Sequence, residues 1–325
     1  MGGCEGRLTI GDVELIPLAD ESTGVRSMCL YVETPDVRIL LDPGVSLAPR
    51  RFGLYPHPLE FRAVKEARER IVEYARRADV VTASHYHFDH ITPGFASWYE
   101  WLPEPDSYRK VYEGKVVLAK DVEKAINHSQ KMRGFAFRRN LEGVADELVY
   151  ADGRRFEFGS TVVEASPPLP HGPEGTKLGW VVAFSIVYRE TRILFAPDVQ
   201  GPASDSALQY ILEARPTVLI VGGPPTYLAG SKIQRGHVER GLANLSLLKQ
   251  QVEYLVVSHH LLRDENWRER VGGGVLTYSS IAGREEMLLE AKRKRLYAED
   301  EPSEEFRKWL EDHLRKGDKS RPPPI

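Results

Sequence analysis

The fold is decided by the stretch Val80-Val81-Thr82-Ala83-Ser84-His85-Tyr86-His87-Phe88-Asp89-His90. Its short apolar run predicts a buried β-strand, and four side chains of the kinds that bind metals follow this run at once. Because alternate side chains of an extended chain point the same way, His85 and His87 can reach one ion. As the chain turns, Asp89 and His90 can face a second ion. The pattern predicts a metal site, and the alternative is a set of histidines that only pack in the core or lie on the surface.

Predicted strands and helices alternate on both sides of this stretch. Residues 59–78 carry apolar side chains at helical spacing among i,i+4 charge pairs, which predicts an amphipathic helix. Strands that end in His, Asp or Gly-Pro and alternate with helices indicate an α/β (α+β) architecture with functional loops at strand ends. The other predicted strands are the apolar runs within 8–20, 28–44, 115–119, 162–170, 179–188, 191–198, 217–225 and 253–260, with a hairpin formed by 179–188 and 191–198. The other predicted helices span 202–214, 236–251 and, as a broken pair, 284–316, before a frayed tail at 321–325.

The composition limits the kinds of protein that this chain can be. Its 325 residues, 42% of them hydrophobic, suffice for a large buried core, and the net charge of −3 gives no general attraction to nucleic acids or membranes. No apolar stretch approaches the roughly 20 residues that span a bilayer, and the first ten residues lack an apolar signal core. The two cysteines, Cys4 and Cys29, are too few for a disulfide framework or a cysteine-rich zinc module. We therefore expect a cytoplasmic protein in which histidines and carboxylates hold any metal.

The order His-x-His-x-Asp-His after a strand resembles the signature of the metallo-β-lactamase superfamily. Four further positions match that family's motifs in its order, each at the end of a predicted strand: Asp42 in RILLDPG, His171 in SPPLPHGP, Asp198 in ILFAPDVQG and His259 in LVVSHH. A closer resemblance to an archaeal branch of these metallo-hydrolases rests on GVRSM, LDPGVS, NHSQKMRG, GGPPTYL and SHHLLRD, which begin at residues 24, 41, 127, 222 and 258.

The resemblance implies a four-layer αββα metallo-β-lactamase-fold sandwich, in which helices cover the outer faces of two facing sheets. We expect a single domain over residues 1–325. Within it, residues of about 50–78 and 95–145 are predicted to be helical insertions, and residues 284–316 to add C-terminal helices.

Residue by residue, the resemblance implies two divalent metal ions. The implied ligands are three histidines for the first ion, a carboxylate and two histidines for the second, and one bridging carboxylate: His85, His87 and His171; Asp89, His90 and His259; and Asp198. Nitrogen and oxygen ligands without a thiolate favour zinc, with iron or manganese as alternatives. Because His87 stands where the diiron oxygen-reducing branch has Glu, hydrolysis is favoured over redox chemistry.

Several of these assignments have a simpler alternative. Asp42, which the resemblance places in support of the metal ligands, could only form a turn before Pro-Gly. His171, between Pro and Gly, could only mark a loop, and Asp198 could cap the helix that follows it. His260 competes with His259 for one ligand position. In the family the ligand usually follows Ser or Thr directly, which favours His259 and leaves His260 as a supporting, proton-transfer or structural residue.

Such a metal pair implies a hydrolase that uses a metal-bridging hydroxide, with Asp89 and His260 as catalytic side chains. The fold and the metals do not choose among the family's substrates, which include β-lactams, thioesters, lactones and phosphodiesters. A phosphodiesterase or nuclease is the first hypothesis, with a small-molecule or nucleic-acid phosphodiester as substrate. The alternatives are a small-molecule ester, thioester or lactone hydrolase, and a non-catalytic metal-stabilised binding protein.

The substrate hypothesis rests on the basic segment 124–139, which has five cationic residues, two phenylalanines and no acidic residue. Basic and aromatic side chains together suit a phosphate backbone with stackable bases. The alternative is a solvated helix face that packs its phenylalanines inward. The candidate substrate-binding residues are His128, Lys131, Arg133 and, after the last motif, Arg263.

Overall fold

The computed structural model describes residues 6–317 and 319–325. The strands in this part of the chain are β1 (Leu8–Ile10), β2 (Val13–Asp20), β3 (Met28–Glu33), β4 (Arg38–Leu41), β5 (Val80–Ala83), β6 (Val116–Ala119), β7 (Glu147–Tyr150), β8 (Arg155–Phe158), β9 (Thr161–Ala165), β10 (Leu169–Pro170), β11 (Trp180–Val181), β12 (Phe184–Tyr188), β13 (Thr191–Ala196), β14 (Val218–Gly222) and β15 (Tyr254–Ser258). The α-helices are α1 (Pro58–Arg77), α2 (Arg109–Tyr112), α3 (His128–Leu141), α4 (Asp205–Ala214), α5 (Arg235–Lys249), α6 (Trp267–Val271), α7 (Tyr278–Ile281), α8 (Leu289–Glu299) and α9 (Glu304–Lys316). Among the described residues, no helix is both long enough and apolar enough to span a membrane.

Two large sheets form the centre of the molecule. The first has seven strands in the order β1 to β7, antiparallel from β1 to β4 and parallel from β4 to β7. The second has six strands in the order β15-β14-β13-β12-β9-β8, with β13, β14 and β15 parallel. Strands β10 and β11 pair with each other beside these sheets. Because the carboxyl ends of parallel strands meet at one edge of a sheet, each large sheet offers one edge with several loops.

Three apolar cores separate the layers. Alternate residues of one strand face opposite sides of a sheet, so Leu40 of β4 packs outward against α1, whereas Ile39 and Leu41 pack against the second sheet. Leu194 of β13 faces a third core beneath α4 and α5, while Ile193 faces the core between the sheets. Helix, sheet, sheet and helix therefore follow one another through the molecule. The predicted four-layer αββα sandwich is confirmed.

Most predicted elements are present close to their expected bounds. The helix expected over 59–78 is α1, and the hairpin expected within 179–198 is β12 and β13, paired antiparallel. The C-terminal helical pair breaks as predicted, because Ser303 accepts a hydrogen bond from the Phe306 amide and starts α9. The segment 95–145 is not helical throughout, since its buried run VVLA adds strand β6 to the first sheet.

The prediction of a frayed tail at 321–325 is wrong. The indole Nε1 of Trp309 donates a hydrogen bond to the carbonyl of Arg321 at 3.0 Å, and Ile325 packs against the core beneath α1. A run of prolines has little backbone freedom to lose on folding, so a few contacts are enough to hold it.

A buried ion pair joins the C-terminal helices to α1. The guanidinium of Arg293 in α8 donates to both carboxylate oxygens of Glu60 in α1, at 2.8 and 2.7 Å, and both side chains are buried. Further donations from NH1 to the carbonyl of Leu54 and from NH2 to that of Ala48 give every guanidinium nitrogen an acceptor. The pair therefore fixes α8 against α1 with each buried nitrogen hydrogen-bonded.

We expect Arg293→Met to lower the free energy of unfolding by about 3–5 kcal/mol, because it leaves the carboxylate of Glu60 buried without a cation. Chemical denaturation followed by circular dichroism measures this change. The matched control is Arg155→Met, which breaks the exposed Arg155–Glu157 pair of 3.3 Å and should cost less than about 1 kcal/mol. Equal losses in the two variants would contradict the role given to the buried pair.

Candidate metal centre

Histidines and carboxylates from both sheets meet at one edge of the sandwich. Each follows a strand: the His85–His90 run follows β5, Asp198 follows β13, and His259 follows β15. His171 directly follows the short strand β10. The parallel strands β4 to β7 and β13 to β15 thus bring their carboxyl ends together, although the residues lie far apart in the sequence. All seven predicted ligands are part of this one cluster.

The carboxylate of Asp198 lies at the centre of the cluster. Its Oδ2 is 3.1 Å from Nε2 of His85 and 3.1 Å from Nε2 of His171. Its Oδ1 is 3.2 Å from Nε2 of His259 and 3.2 Å from Nε2 of His260. Nε2 of His90 lies 3.3 Å from Oδ2 as well, so three imidazoles face Oδ2 and two face Oδ1. Such an arrangement suits a carboxylate that serves two cations at once.

Unpartnered polar atoms indicate that a cation fits here. Among the described residues, Oδ1 of Asp198 and both ring nitrogens of His171 are buried and make no hydrogen bond of normal geometry, although Nε2 of His171 lies 3.1 Å from Oδ2 of Asp198. Native proteins rarely leave such atoms unsatisfied, because each costs free energy when it is removed from water. The ligand atoms lie close enough together for metal binding, within 4.8 Å of one another in each of four overlapping groups: His85, His87, His171 and Asp198; Asp42, His85 and His90; Asp89, His90 and His259; and Asp198, His259 and His260.

Asp42 supports the cluster from behind. Its Oδ2 is 2.8 Å from Nδ1 of His90, and its Oδ1 accepts a hydrogen bond from the Ser84 amide at 2.9 Å. A carboxylate that accepts the Nδ1 proton leaves Nε2 of His90 free to face Asp198. The glycine in LDPG is required by packing, since a Cβ on Gly44 would lie 2.3 Å from the backbone nitrogen of His90.

The electrostatics of the cluster favours bound positive charge, which protons on His90 and His259 or a metal ion can supply. Burial lowers the pKa of His85 to about 4 and keeps the pKa of His87 well below its usual value, so both rings are neutral, as metal binding requires. Burial would raise the pKa of Asp198, but the surrounding histidines, His259 first, hold it well below its usual range. Burial would also lower the pKa of His259, whereas Asp198 and Glu21 raise it to about 9. The site therefore attracts positive charge strongly.

Glu21 belongs to the site, and the sequence analysis missed it. Its Oε1 lies 3.1 Å from Nδ1 of His259 and accepts a hydrogen bond from Nε of Arg263 at 2.7 Å. Glu21 follows strand β2, as Asp42 follows β4, so an acidic residue directly after a predicted strand was the available signal. That signal is weak, because an acidic residue after a strand is also typical of an ordinary turn.

Arg263 lies beside the histidines and lines the cavity above them. Its side chain is only 3% exposed, and it contacts Glu21, His259 and His260. Ion pairing with Glu21 turns the guanidinium toward the histidines. Support for the histidines is therefore visible in the structure, and direct substrate contact by Arg263 stays a prediction.

A cavity of about 460 Å³ opens over the cluster. Of the other predicted substrate-binding residues, Arg133 lines it, with its guanidinium 4.7 Å from the ring centre of Phe88. His128 is exposed at the first turn of α3, and Lys131 lies over the ring of Phe135, so neither belongs to the residues that line the cavity. The remaining walls are mostly apolar and include Leu47, Pro49, Leu178, Pro225, Leu228 and Ile233.

The N-terminal end of α3 holds the loop that carries His171. The side-chain amides of Asn127 and Gln130 both donate to the carbonyl of Leu178, at 2.7 and 2.9 Å. The His171 amide in turn donates to the carbonyl of Gly179 at 2.9 Å. The motif NHSQ therefore fixes a histidine loop. This function is distinct from the substrate contact predicted for the basic segment.

The alternative interpretation of the basic segment, a solvated helix face that packs its phenylalanines inward, holds for one of the two phenylalanines. Phe137 is buried against Tyr86 and Tyr112, as expected of a helix that packs its aromatic side chains inward. Phe135 is half-buried, with the cations of Lys131 and Arg138 over its ring. Stacked bases would therefore have no free aromatic face on Phe137.

Sequence comparison identifies the class of protein that this fold and site define. A family profile described as "Beta-lactamase superfamily domain" matches residues 23–234, and the chain belongs to this superfamily, whose metal-dependent members are mostly hydrolases. It is 49% identical over 304 residues to a UPF0282 protein of Pyrobaculum calidifontis, covering 90% of this chain and 98% of that protein. It is 43% identical over 294 residues to a UPF0282 protein of Methanopyrus kandleri, covering 89% of this chain and 100% of that one. The predicted resemblance to an archaeal branch is confirmed.

Solved structures with similar folds are much more distant. The metallo-beta-lactamase fold protein YhfI from Bacillus subtilis is 12% identical with a TM-score of 0.48, and the likeness covers 82% of this chain and 95% of that one. A diphosphatase from the PhnP family is 13% identical with a TM-score of 0.49, covering 82% and 94%. At these distances the activities named for those proteins cannot be assigned to this chain.

We expect Gln130→Ala to loosen the His171 loop, because it removes one of the two side-chain donors to the carbonyl of Leu178. Hydrogen exchange at the amides of residues 171–179 should become about 5–30-fold faster, corresponding to about 1–2 kcal/mol for a lost hydrogen bond. The control is Gln209→Ala, which removes an exposed contact to Glu213 on α4. Unchanged exchange in this loop would contradict the clamping role of α3.

Proposed function

We propose that the protein is a dinuclear metal-dependent hydrolase. The observation that carries this proposal is the buried carboxylate of Asp198, whose two oxygens face two separate groups of histidines at the base of an open cavity. A single structural ion would need only one such group, enclosed on all sides. Two groups that share a carboxylate and remain open to solvent are typical of a site that handles a substrate.

The proposed ligands divide between two ions as the family resemblance implies. His85, His87 and His171 would hold the first ion, Asp89, His90 and His259 would hold the second, and Asp198 would serve both. We propose zinc, with iron or manganese as alternatives, because the donors are imidazoles and carboxylates without a thiolate. When bound, two such ions lower the pKa of a shared water and polarise the oxygen of the group under attack.

The protein's own residues orient the reactants. Asp42 holds the ring of His90, and Glu21 lies against the ring of His259, so both rings keep their Nε2 toward Asp198. Asp89 is ionised, because its neighbouring histidines and Arg263 outweigh burial and hold its pKa well below the usual value. Its carboxylate can therefore accept a hydrogen bond from the attacking water and fix the direction of attack.

We propose a small-molecule phosphodiester as the substrate class. The cavity of about 460 Å³ suits a small ligand, and Arg133 supplies a cation at its wall for a phosphate oxygen. Four cations of the basic segment, at Lys124, Lys131, Arg138 and Arg139, lie outside the residues that line this cavity, so a long nucleic acid is less well supported. The apolar wall keeps a neutral ester, thioester or lactone as the second candidate.

The cellular setting is also a proposal. Two cysteines give no disulfide framework, which supports a reducing compartment, and we propose that the chain acts in the cytoplasm as a single domain. A non-catalytic metal-stabilised binding protein remains the alternative to an enzyme, and the following experiment separates the two.

We expect zinc- or manganese-loaded protein to hydrolyse bis-p-nitrophenyl phosphate, and Asp89→Ala to reduce kcat by at least about 100-fold, because it removes both a ligand and the residue that orients the water. Release of p-nitrophenolate measures the reaction. Circular dichroism must show that the variant stays folded, and removal of metal with a chelator must abolish turnover. No turnover by loaded protein on a panel of phosphodiesters and esters would favour the binding protein.

Arg133→Ala should discriminate between the two substrate classes. Loss of a charge-assisted hydrogen bond to phosphate lowers kcat/KM for the phosphodiester by about 10- to 100-fold, with little effect on a neutral p-nitrophenyl ester. Lys131→Ala is the matched control, because Lys131 lies on the same helix outside the cavity lining. Equal effects of Arg133→Ala on both substrates would argue against phosphate recognition by this residue.

A further inference from the structure

We propose that Glu21 and Arg263 set opposite proton positions on two adjacent histidines, so that His259 offers a free Nε2 to a metal while His260 offers an N–H to the cavity. The motif SHH favours His259 only through the family resemblance, and it gives no physical reason for a difference between two adjacent histidines at the end of one strand. The inference rests on the proposed function, since it assumes that a metal binds in the cluster.

The position of the proton on His259 follows from its contact with Glu21. The carboxylate Oε1 of Glu21 lies 3.1 Å from Nδ1 of His259, and the same oxygen accepts a hydrogen bond from Nε of Arg263 at 2.7 Å. A carboxylate paired with a guanidinium can only accept hydrogen bonds, so Nδ1 of His259 carries the proton. When a metal takes the place of the second proton of this ring, the lone pair of Nε2 is the one available to it, 3.2 Å from Oδ1 of Asp198 and 3.5 Å from Oδ2 of Asp89.

The position of the proton on His260 follows from its contact with Arg263. The guanidinium NH1 lies 3.0 Å from Nδ1 of His260. A guanidinium can only donate, so Nδ1 of His260 must accept, and the neutral ring carries its proton on Nε2. That Nε2 is 3.2 Å from Oδ1 of Asp198, and the side chain is 16% exposed. His260 therefore presents an N–H on the side of Asp198 and the cavity, and it has no lone pair to offer a metal there.

The second terminal nitrogen of Arg263 does not disturb this assignment. NH2 lies 3.2 Å from both Nδ1 and Nε2 of His259. A nitrogen in the ring plane at equal distance from both would clash with the carbon between them, so NH2 must lie over the ring face. The lone pairs of an imidazole lie in its plane, which leaves Nδ1 to Glu21 and Nε2 to the metal site.

The buried surroundings hold this arrangement in place. Glu21 and Arg263 are each 3% exposed, and residues His259–Arg263 form one short 3-10 turn that links the two rings to their partner. The turn is constrained further, because His259 adopts a left-handed φ of 62°. Glu21 and Arg263 are thus positioning residues. The consequence for the reaction is a His260 N–H fixed beside Asp198, where it can donate a hydrogen bond to an oxygen of the substrate.

Zinc stoichiometry tests the assignment without relying on activity. Purified protein is loaded with zinc, passed through a desalting column and analysed for metal by mass spectrometry. We expect two zinc ions in the native protein and in His260→Ala, and one in His259→Ala. The more conservative pair His259→Gln and His260→Gln repeats the comparison, so that poor folding of an alanine variant does not decide the result.

The outcomes separate this inference from the proposed function. Fewer than two ions in the native protein would overturn the proposed dinuclear site. Two ions in the native protein, with loss of one in the His260 variants and not in the His259 variants, would overturn the inference alone. Equal retention or equal loss in both sets would also overturn it, because the two rings would then have the same relation to the metal.

The roles of Glu21 and Arg263 have their own readouts. Glu21→Gln should weaken zinc binding by about 10- to 100-fold in a chelator competition, the usual effect of removing the partner of a ligand histidine, and Glu21→Asp should restore part of the affinity.

In zinc-loaded protein labelled with ¹⁵N histidine, Arg263→Met should shift the NMR signals of the His260 ring nitrogens. Arg26→Met is the control, because Arg26 is bound to Glu290 at 2.6 Å. If Arg263→Met shifts the His260 ring nitrogens no more than Arg26→Met does, the role given to Arg263 is overturned.

Discussion

Burying the carboxylate of Asp198 among five histidines costs free energy unless a positive charge compensates it. Most other features of the site follow from this one constraint. The three residues at the ends of β4, β13 and β15 adopt left-handed backbone angles, with φ of 46° at Asp42, 53° at Asp198 and 62° at His259. Such conformations cost about 1–3 kcal/mol each for residues other than glycine, and they persist where the surrounding structure imposes them. Here they turn side chains from three strand ends toward one point.

The sandwich supplies the rigidity that this point requires. Strands β4, β5, β13 and β15 are packed between the central core and the two outer cores. Close packing fixes the positions of these strands, so the loops that follow them also begin from fixed positions. Close packing reaches the site itself. A Cβ on Gly222, which ends β14, would lie 2.7 Å from the backbone nitrogen of Asp198. The glycine-proline motif that begins at Gly222 thus has a packing role, because it lets the backbone of Asp198 approach the neighbouring strand.

The sequence predicted much of this arrangement, for physical reasons that can be named. Strand-end motifs such as that around His85 carry strong local signals, because an apolar run followed by histidines at short spacing rarely has another origin. Glu21 carried no comparable signal, since its hydrogen bond to Arg263 joins residues 242 apart in the chain. The same holds for Asn127 and Gln130, whose contacts to the His171 loop depend on how α3 packs. The packing of the tail was missed because contacts from Trp309, and not local propensity, hold it.

Anomalous diffraction from crystals of the zinc-loaded protein shows whether Asp198 serves two cations. Data collected on both sides of the zinc absorption edge locate each ion independently of any assumed ligand. We expect two peaks, one on each side of the Asp198 carboxylate and about 3.5–4 Å apart. A single peak at this edge of the sandwich, or zinc bound only elsewhere on the molecule, would contradict this expectation.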